Sequence, residues 1–112
     1  MPITKEVPLS YTVPATSRMK IADLCPLTGE IISVTMSFDD GCNGLVLVAF
    51  GHSDKWVCPS QINTFIALND SIRVSPCSEP VKKNEYLWTE IRNGDGFDHL
   101  ITVIATIRGV PE

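Results

Sequence analysis

Glu30-Ile31-Ile32-Ser33-Val34-Thr35-Met36-Ser37-Phe38 is the stretch whose reading decides the fold. Ile32, Val34, Met36 and Phe38 fall on one side, and Ser33, Thr35 and Ser37 on the other. Period two is the signature of a strand with one buried and one wet face, because successive side chains leave a pleated backbone in opposite directions. The pattern recurs toward the N-terminus. From Ile3 to Val13 the odd positions are Ile, Lys, Val, Leu, Tyr and Val, and the even ones are Thr, Glu, Pro, Ser and Thr. Pro8 lies on the outward set and has no backbone donor, which suits an edge strand; Pro14 ends the run. Arg18 to Leu24 predicts a second strand with Met19, Ile21 and Ala22 inward, and Pro26-Leu27-Thr28-Gly29 a turn.

The same logic runs toward the C-terminus. Asp39 to Gly44 breaks the alternation, and Asn43-Gly44 suits the positive φ angles of a hairpin turn. Gly44 to Gly51 is apolar at both parities, as expected for a strand covered on both faces by its own chain or by another subunit. Lys55 to Cys58 reads as a short strand closed by Pro59, and Gln61 to Phe65 as one helical turn. Thr64 to Leu68 and Ser71 to Ser75 read as two short strands or one bent strand, with Pro76 and Pro80 bracketing a loop. Glu85 to Arg92 is a strand, Asn93-Gly94-Asp95-Gly96 a turn, and His99 to Arg108 a closing strand with Ile101, Val103, Ala105 and Ile107 inward. The sum is an all-β, antiparallel sandwich of about eight strands, with turn signals roughly every 8–12 residues. Residues 1–112 read as a single domain, with 1–15 an extended N-terminal strand or arm.

Composition narrows the function. Apolar residues make up 44% and charged residues 20% of the chain. Those fractions belong to a globular protein and not a disordered one. The net charge is -4, and Lys82-Lys83 is the one adjacent basic pair, so no basic stripe is available for nucleic acid. A membrane-spanning helix needs roughly 20 consecutive apolar residues, and no run nears that length. The start, MPITKEVPLS, lacks the pattern of a secretory signal. Cys25, Cys42, Cys58 and Cys77 contain no CxxC pair, which removes zinc-ribbon and redox motifs. Two disulfides are open on count, with three connectivities; buried free thiols are the expectation.

The sequence spells out no catalytic set, metal set or cofactor motif. His52 lies in a polar segment and His99 opens the last strand; neither belongs to an HxH or HExxH motif. A pair such as Cys42 with His99 needs the fold to bring it together, and spacing alone assigns neither a role. Asn93 to Asp98 is half of an acidic calcium loop without the closing Glu, and Asp39-Asp40 is a weaker case; hairpin chemistry explains both. Trp56 beside a polar segment, and Trp88 alternating with Tyr86 across from Leu87, are candidate contact residues, with core packing as the alternative for Trp56. The N-terminal strand supplies Ile3, Val7, Leu9 and Tyr11 to the same candidate interface, because an open strand can pair with a neighbour's sheet.

The order of strands and turns resembles the small single jelly-roll sandwiches of virion structural proteins, such as decoration proteins of tailed and archaeal viruses. Phe38 to Val48, Thr64 to Asp70 and Ile91 to Val103 carry the resemblance, which covers about residues 28–108. It implies a non-enzymatic subunit on a virion surface, a homo-oligomer that also contacts a capsid or other particle protein. It carries over no site residues. The alternative is a monomeric binding module for a glycan or protein, with calcium as a further option.

Overall fold

The computed structural model describes residues 2–42, 44–59, 61 and 64–111. Eight strands follow one another: β1 (Ile3–Val13), β2 (Arg18–Leu24), β3 (Thr28–Phe38), β4 (Val46–His52), β5 (Lys55–Cys58), β6 (Ser71–Val81), β7 (Tyr86–Asn93) and β8 (His99–Val110). They form two four-stranded sheets, of order β1-β8-β3-β6 (sheet A) and β2-β7-β4-β5 (sheet B). Every pairing is antiparallel. First pairs with last, second with seventh, third with sixth and fourth with fifth. This is one long hairpin rolled into two sheets, the jelly-roll topology. No helix among the described residues is long and apolar enough to cross a membrane.

The inward sets of the alternating strands meet in one core. Ile31, Val34, Met36 and Phe38 of β3 face Val46, Val48 and Phe50 of β4 and Leu87 and Ile91 of β7, with Ile101, Val103, Ala105 and Ile107 of β8 beside them. β4 is buried at every residue except Leu47, as its doubly apolar sequence requires. Its inner face meets the core. On its outer face the Trp88 ring lies against Gly51, and along its edge an antiparallel bridge joins Val48 to Ile66.

Four local expectations change. In β3 the ladder slips between Ile31 and Ser33, so Ile32 is the extra residue of a bulge and Ile31 takes the inward position. Ala22 is exposed, while Met19 and Ile21 pack against the core. Thr64 to Leu68 is no strand beyond the bridge at Ile66. Pro76 and Pro80 lie inside β6, opposite Ser33 and Glu30, rather than around a loop. The edge position of β6 explains this, because a strand paired on one side can lack a donor on the other. The expected turn at Gln61 to Phe65 includes Ile62 and Asn63, and the Asn43-Gly44 turn includes Asn43, all outside the described residues; Gly44 has φ +75°.

β1 is not a free arm. It pairs with β8 along its whole length, from Ile3 opposite Gly109 to Val13 opposite His99.

Candidate functional site

Sheet A has two open edges, β1 and β6. Cross-strand register places Pro8, Ile104, Thr35 and Val74 in one transverse row on its outer face, and Ser10, Thr102, Ser37 and Ile72 in the next. In β1, β3 and β8 the opposite parity, including Leu9, Val34, Met36, Ile101 and Val103, is buried in the core, which fixes the two rows as outward. Both rows are uncharged from edge to edge. Ser10 and Thr102 hydroxyls bond each other at 3.0 Å. At the β6 edge Ile72 and Val74 are 68% and 61% exposed, with Leu100 also exposed on β8. Edge strands are usually protected by charge; β6 here presents two β-branched aliphatics with Arg73 between them.

The six candidate contact residues divide. Ile3 and Tyr11 of β1 are exposed, but Val7 and Leu9 are buried in the core and cannot meet a partner. Their parity is the core-facing one, whereas β1 meets the exterior through Pro8 and Ser10. Trp56 is half-buried and Trp88 is buried. Trp88 lies outward on β7 over Gly51 and is covered by its own chain. Trp56 meets it edge-on at 5.1 Å, Lys20 Nζ sits 4.5 Å above its ring, and its Nε1 donates to the Ser53 carbonyl at 2.9 Å. Phe65 stacks edge-on against Trp56, with the Arg92 guanidinium 4.6 Å above the Phe65 ring. These rings are committed to each other and to cations, so they form no flat row for stacking a sugar.

Two polar clusters sit at opposite ends of the sandwich. At one end His52, closing β4, bonds Glu79 of β6 through Nε2 and Glu85 through Nδ1, each at 3.0 Å. This ties sheet B to sheet A. Lys55 reaches Glu79 at 2.8 Å, and Ser53 Oγ donates to Glu85 at 2.8 Å. Burial pushes the Glu79 carboxyl up, but Lys55 and His52 outweigh it and hold it below the usual range. Glu85 behaves alike: burial raises it, and bonds from Ser53, His52 and the Lys82 N–H lower it further.

At the other end His99, opening β8, is gripped by Asp39 on Nδ1 at 2.8 Å and Asp95 on Nε2 at 2.7 Å. The Cys42 thiol donates to the same Asp39 Oδ1 at 2.9 Å, and Asp39 Oδ2 accepts the Leu100 N–H at 3.1 Å. Cys42 and His99 do come together, but a carboxylate stands between them. Burial, then the bond to Asp39, pushes the Cys42 thiol up to about 12, the opposite of an activated nucleophile. Asp95, followed by Asp39, raises His99 against its burial.

The Asn93 to Asp98 turn directs its oxygens to the chain's own donors. Asn93 Oδ1 accepts the Asp95 N–H, and its Nδ2 donates to the carbonyls of Val13, Pro14 and Phe97. Asp98 accepts the Ala15 N–H. All four cysteines are free thiols. The sequence names Cys42 with His99 as a pair for the fold to bring together, but nothing in it joins them to Asp39 and Asp95; the members come from the β3–β4 and β7–β8 connections and the start of β8, and the uncharged rows need the register of four strands.

No protein-family model matches the chain, and no curated protein matches it in sequence. In structure it is similar to the mitogen derived from Yersinia pseudotuberculosis, at 9% identity and TM-score 0.57, over 94% of this chain and 87% of that one. It is also similar to a chain of the cyanophage Pam1 capsid asymmetric unit, at 13% identity and TM-score 0.55, over 98% and 85%. A family two carbohydrate esterase from Cellvibrio japonicus matches at 12% identity and TM-score 0.53, over 98% of this chain and 35% of the esterase. At such identities the likeness is one of β-rich fold.

Proposed function

We propose that this chain is a non-enzymatic structural subunit that assembles through the outer face and β6 edge of sheet A. In this reading it is a homo-oligomeric decoration or capsid-associated protein on a virion surface. The observation that carries it is the pair of uncharged rows ending on Ile72 and Val74. An uncharged face of short hydroxyls and aliphatics beside an open strand edge suits burial against another subunit. The likeness to a capsid chain is compatible with such a role and adds no residue to it. The Cys42 arrangement fits this reading too, since its thiol is protonated and turned to a carboxylate.

The test has two parts. Light scattering on the purified chain should give an oligomer that Ile72→Lys with Val74→Lys dissociates without unfolding. Mass spectrometry of gradient-banded particles from the source culture should find the chain at high copy number. A wild-type monomer at high concentration, together with absence from particles, refutes the proposal.

A further inference from the structure

We propose that Asp39, Cys42 and His99 form a binding site for a thiophilic divalent cation, with Zn²⁺ the best fit, oriented by Asp95. The carboxylate oxygen, the thiol sulfur and the imidazole nitrogen all lie within 4.8 Å of one another. They bring three donor types that zinc takes, from a loop and a strand start and not from one acidic run. Cys42 and His99 are both buried.

Three features go beyond proximity. Asp39 Oδ1 already accepts from both Cys42 Sγ, at 2.9 Å, and His99 Nδ1, at 2.8 Å. The two protons thus lie among the three atoms that a cation would join. A tetrahedral zinc site separates such atoms by about 3.3–3.6 Å, so Asp39 Oδ1 must move about 0.5–0.7 Å away from each of the other two. Second, Asp95 Oδ2 holds the far nitrogen, Nε2, at 2.7 Å. A carboxylate on the distal nitrogen is the arrangement that orients metal-binding histidines and raises their basicity. Third, Asp39 is anchored through Oδ2 by the Leu100 N–H, and Gly41 of the same loop by Asn69, so the ligands are held before a metal arrives.

The exchange balances. Zn²⁺ enters, and the Cys42 thiol proton and the His99 Nδ1 proton leave to solvent. Two positive charges replace two, and His99 keeps its Nε2 proton, donated to Asp95. The His52 cluster lacks this design. It brings no thiol to the imidazole, and the Lys55 ammonium already sits on Glu79.

The experiment titrates chelator-treated full chain with Co²⁺ and with Zn²⁺ near neutral pH. Expected are one equivalent bound, a thiolate-to-cobalt charge-transfer band, release of protons in weak buffer and a rise in Tm. Cys42→Ser should abolish the band while leaving Cys25, Cys58 and Cys77 in place. Asp95→Asn should weaken zinc binding about 10- to 100-fold. Should Cys42→Ser fail to fold, cadmium-113 NMR of the wild type reads the sulfur count directly, and one sulfur is expected. No band and no Tm rise in the wild type, a band that survives in a folded Cys42→Ser variant, or a cadmium shift of two or more sulfurs overturns the proposal.

Discussion

Replacing Glu79 by Gln should cost the fold about 2 kcal/mol at neutral pH and almost nothing in acid, from one shielded and one screened contact. Glu79 receives His52 Nε2 at 3.0 Å and Lys55 Nζ at 2.8 Å. The His52 side chain is 9% exposed and that of Glu79 16%. Their bond therefore takes the value of a shielded, charge-assisted contact, about 1.5 kcal/mol. The Lys55 side chain is 62% exposed. Its pair is screened by solvent and adds about 0.5 kcal/mol. Because the folded carboxyl is held below its unfolded value, its contribution is complete above the unfolded range. It fades as pH falls through the folded value. Urea unfolding of wild type and Glu79→Gln, at steps from pH 7 to pH 3, reads this directly. The midpoints should differ by about 1–2 M at neutral pH, for a slope of about 1–2 kcal/mol per molar. The gap should hold down to about pH 5, just above the unfolded carboxyl range, and shrink steadily as the pH falls below it. A gap below about 0.5 kcal/mol at pH 7, the size of a screened surface pair alone, refutes the inference that the His52–Glu79 bond latches the two sheets. So does a gap undiminished in acid.

Other substitutions probe other parts of the fold. At Gly51 an added Cβ meets the Lys55 carbonyl at 2.3 Å and the Trp88 ring at 2.4 Å. Gly51→Ala should therefore destabilise by about 3 kcal/mol, measured by the same unfolding. A neutral result means that Trp88 does not rest on β4. In Asn93→Ala three carbonyls lose their shared donor. That change should cost about 2–3 kcal/mol and make residues 95–98 the first site of limited proteolysis. Wild-type cleavage rates in the variant count against that role. In the native, metal-free state a thiol reagent near neutral pH should modify half-buried Cys77 before Cys42, whose thiol is buried and pushed up to about 12. Peptide mapping that finds Cys42 labelled first contradicts the thiol–carboxylate geometry.

Period two makes much of the fold legible. It marks which face of β1, β3 and β8 turns inward, and Pro8 marks an edge. The doubly apolar run from Gly44 identifies a strand covered on both sides. Alternation names a face and not a neighbour, so the pairing of β1 with β8 stays out of reach. The same limit assigns Val7 and Leu9 to an interface when they belong to the core. Pro76 and Pro80 resemble loop residues until the strand is known to lie at an edge. Trp88 reads as a contact residue because what covers it, Trp56 and Lys20, comes from other strands. The His99 cluster is the least legible part. Asp39 and His99 are far apart in the chain, and the roll of the hairpin brings them together.

That roll also has a consequence for synthesis. β8 lies between β1 and β3 and supplies the neighbour of both. Residues 3–13 therefore cannot find their partner until residues 99–109 have left the ribosome. The wait is about 5–20 s at ordinary elongation rates. Throughout that interval Val7, Leu9, Val34 and Met36 have no completed sheet behind which to hide. Such non-local pairing folds slowly, because the whole intervening loop must close before its contacts repay the entropy. The nascent chain is thus most vulnerable to mispairing with other copies just before its last strand emerges.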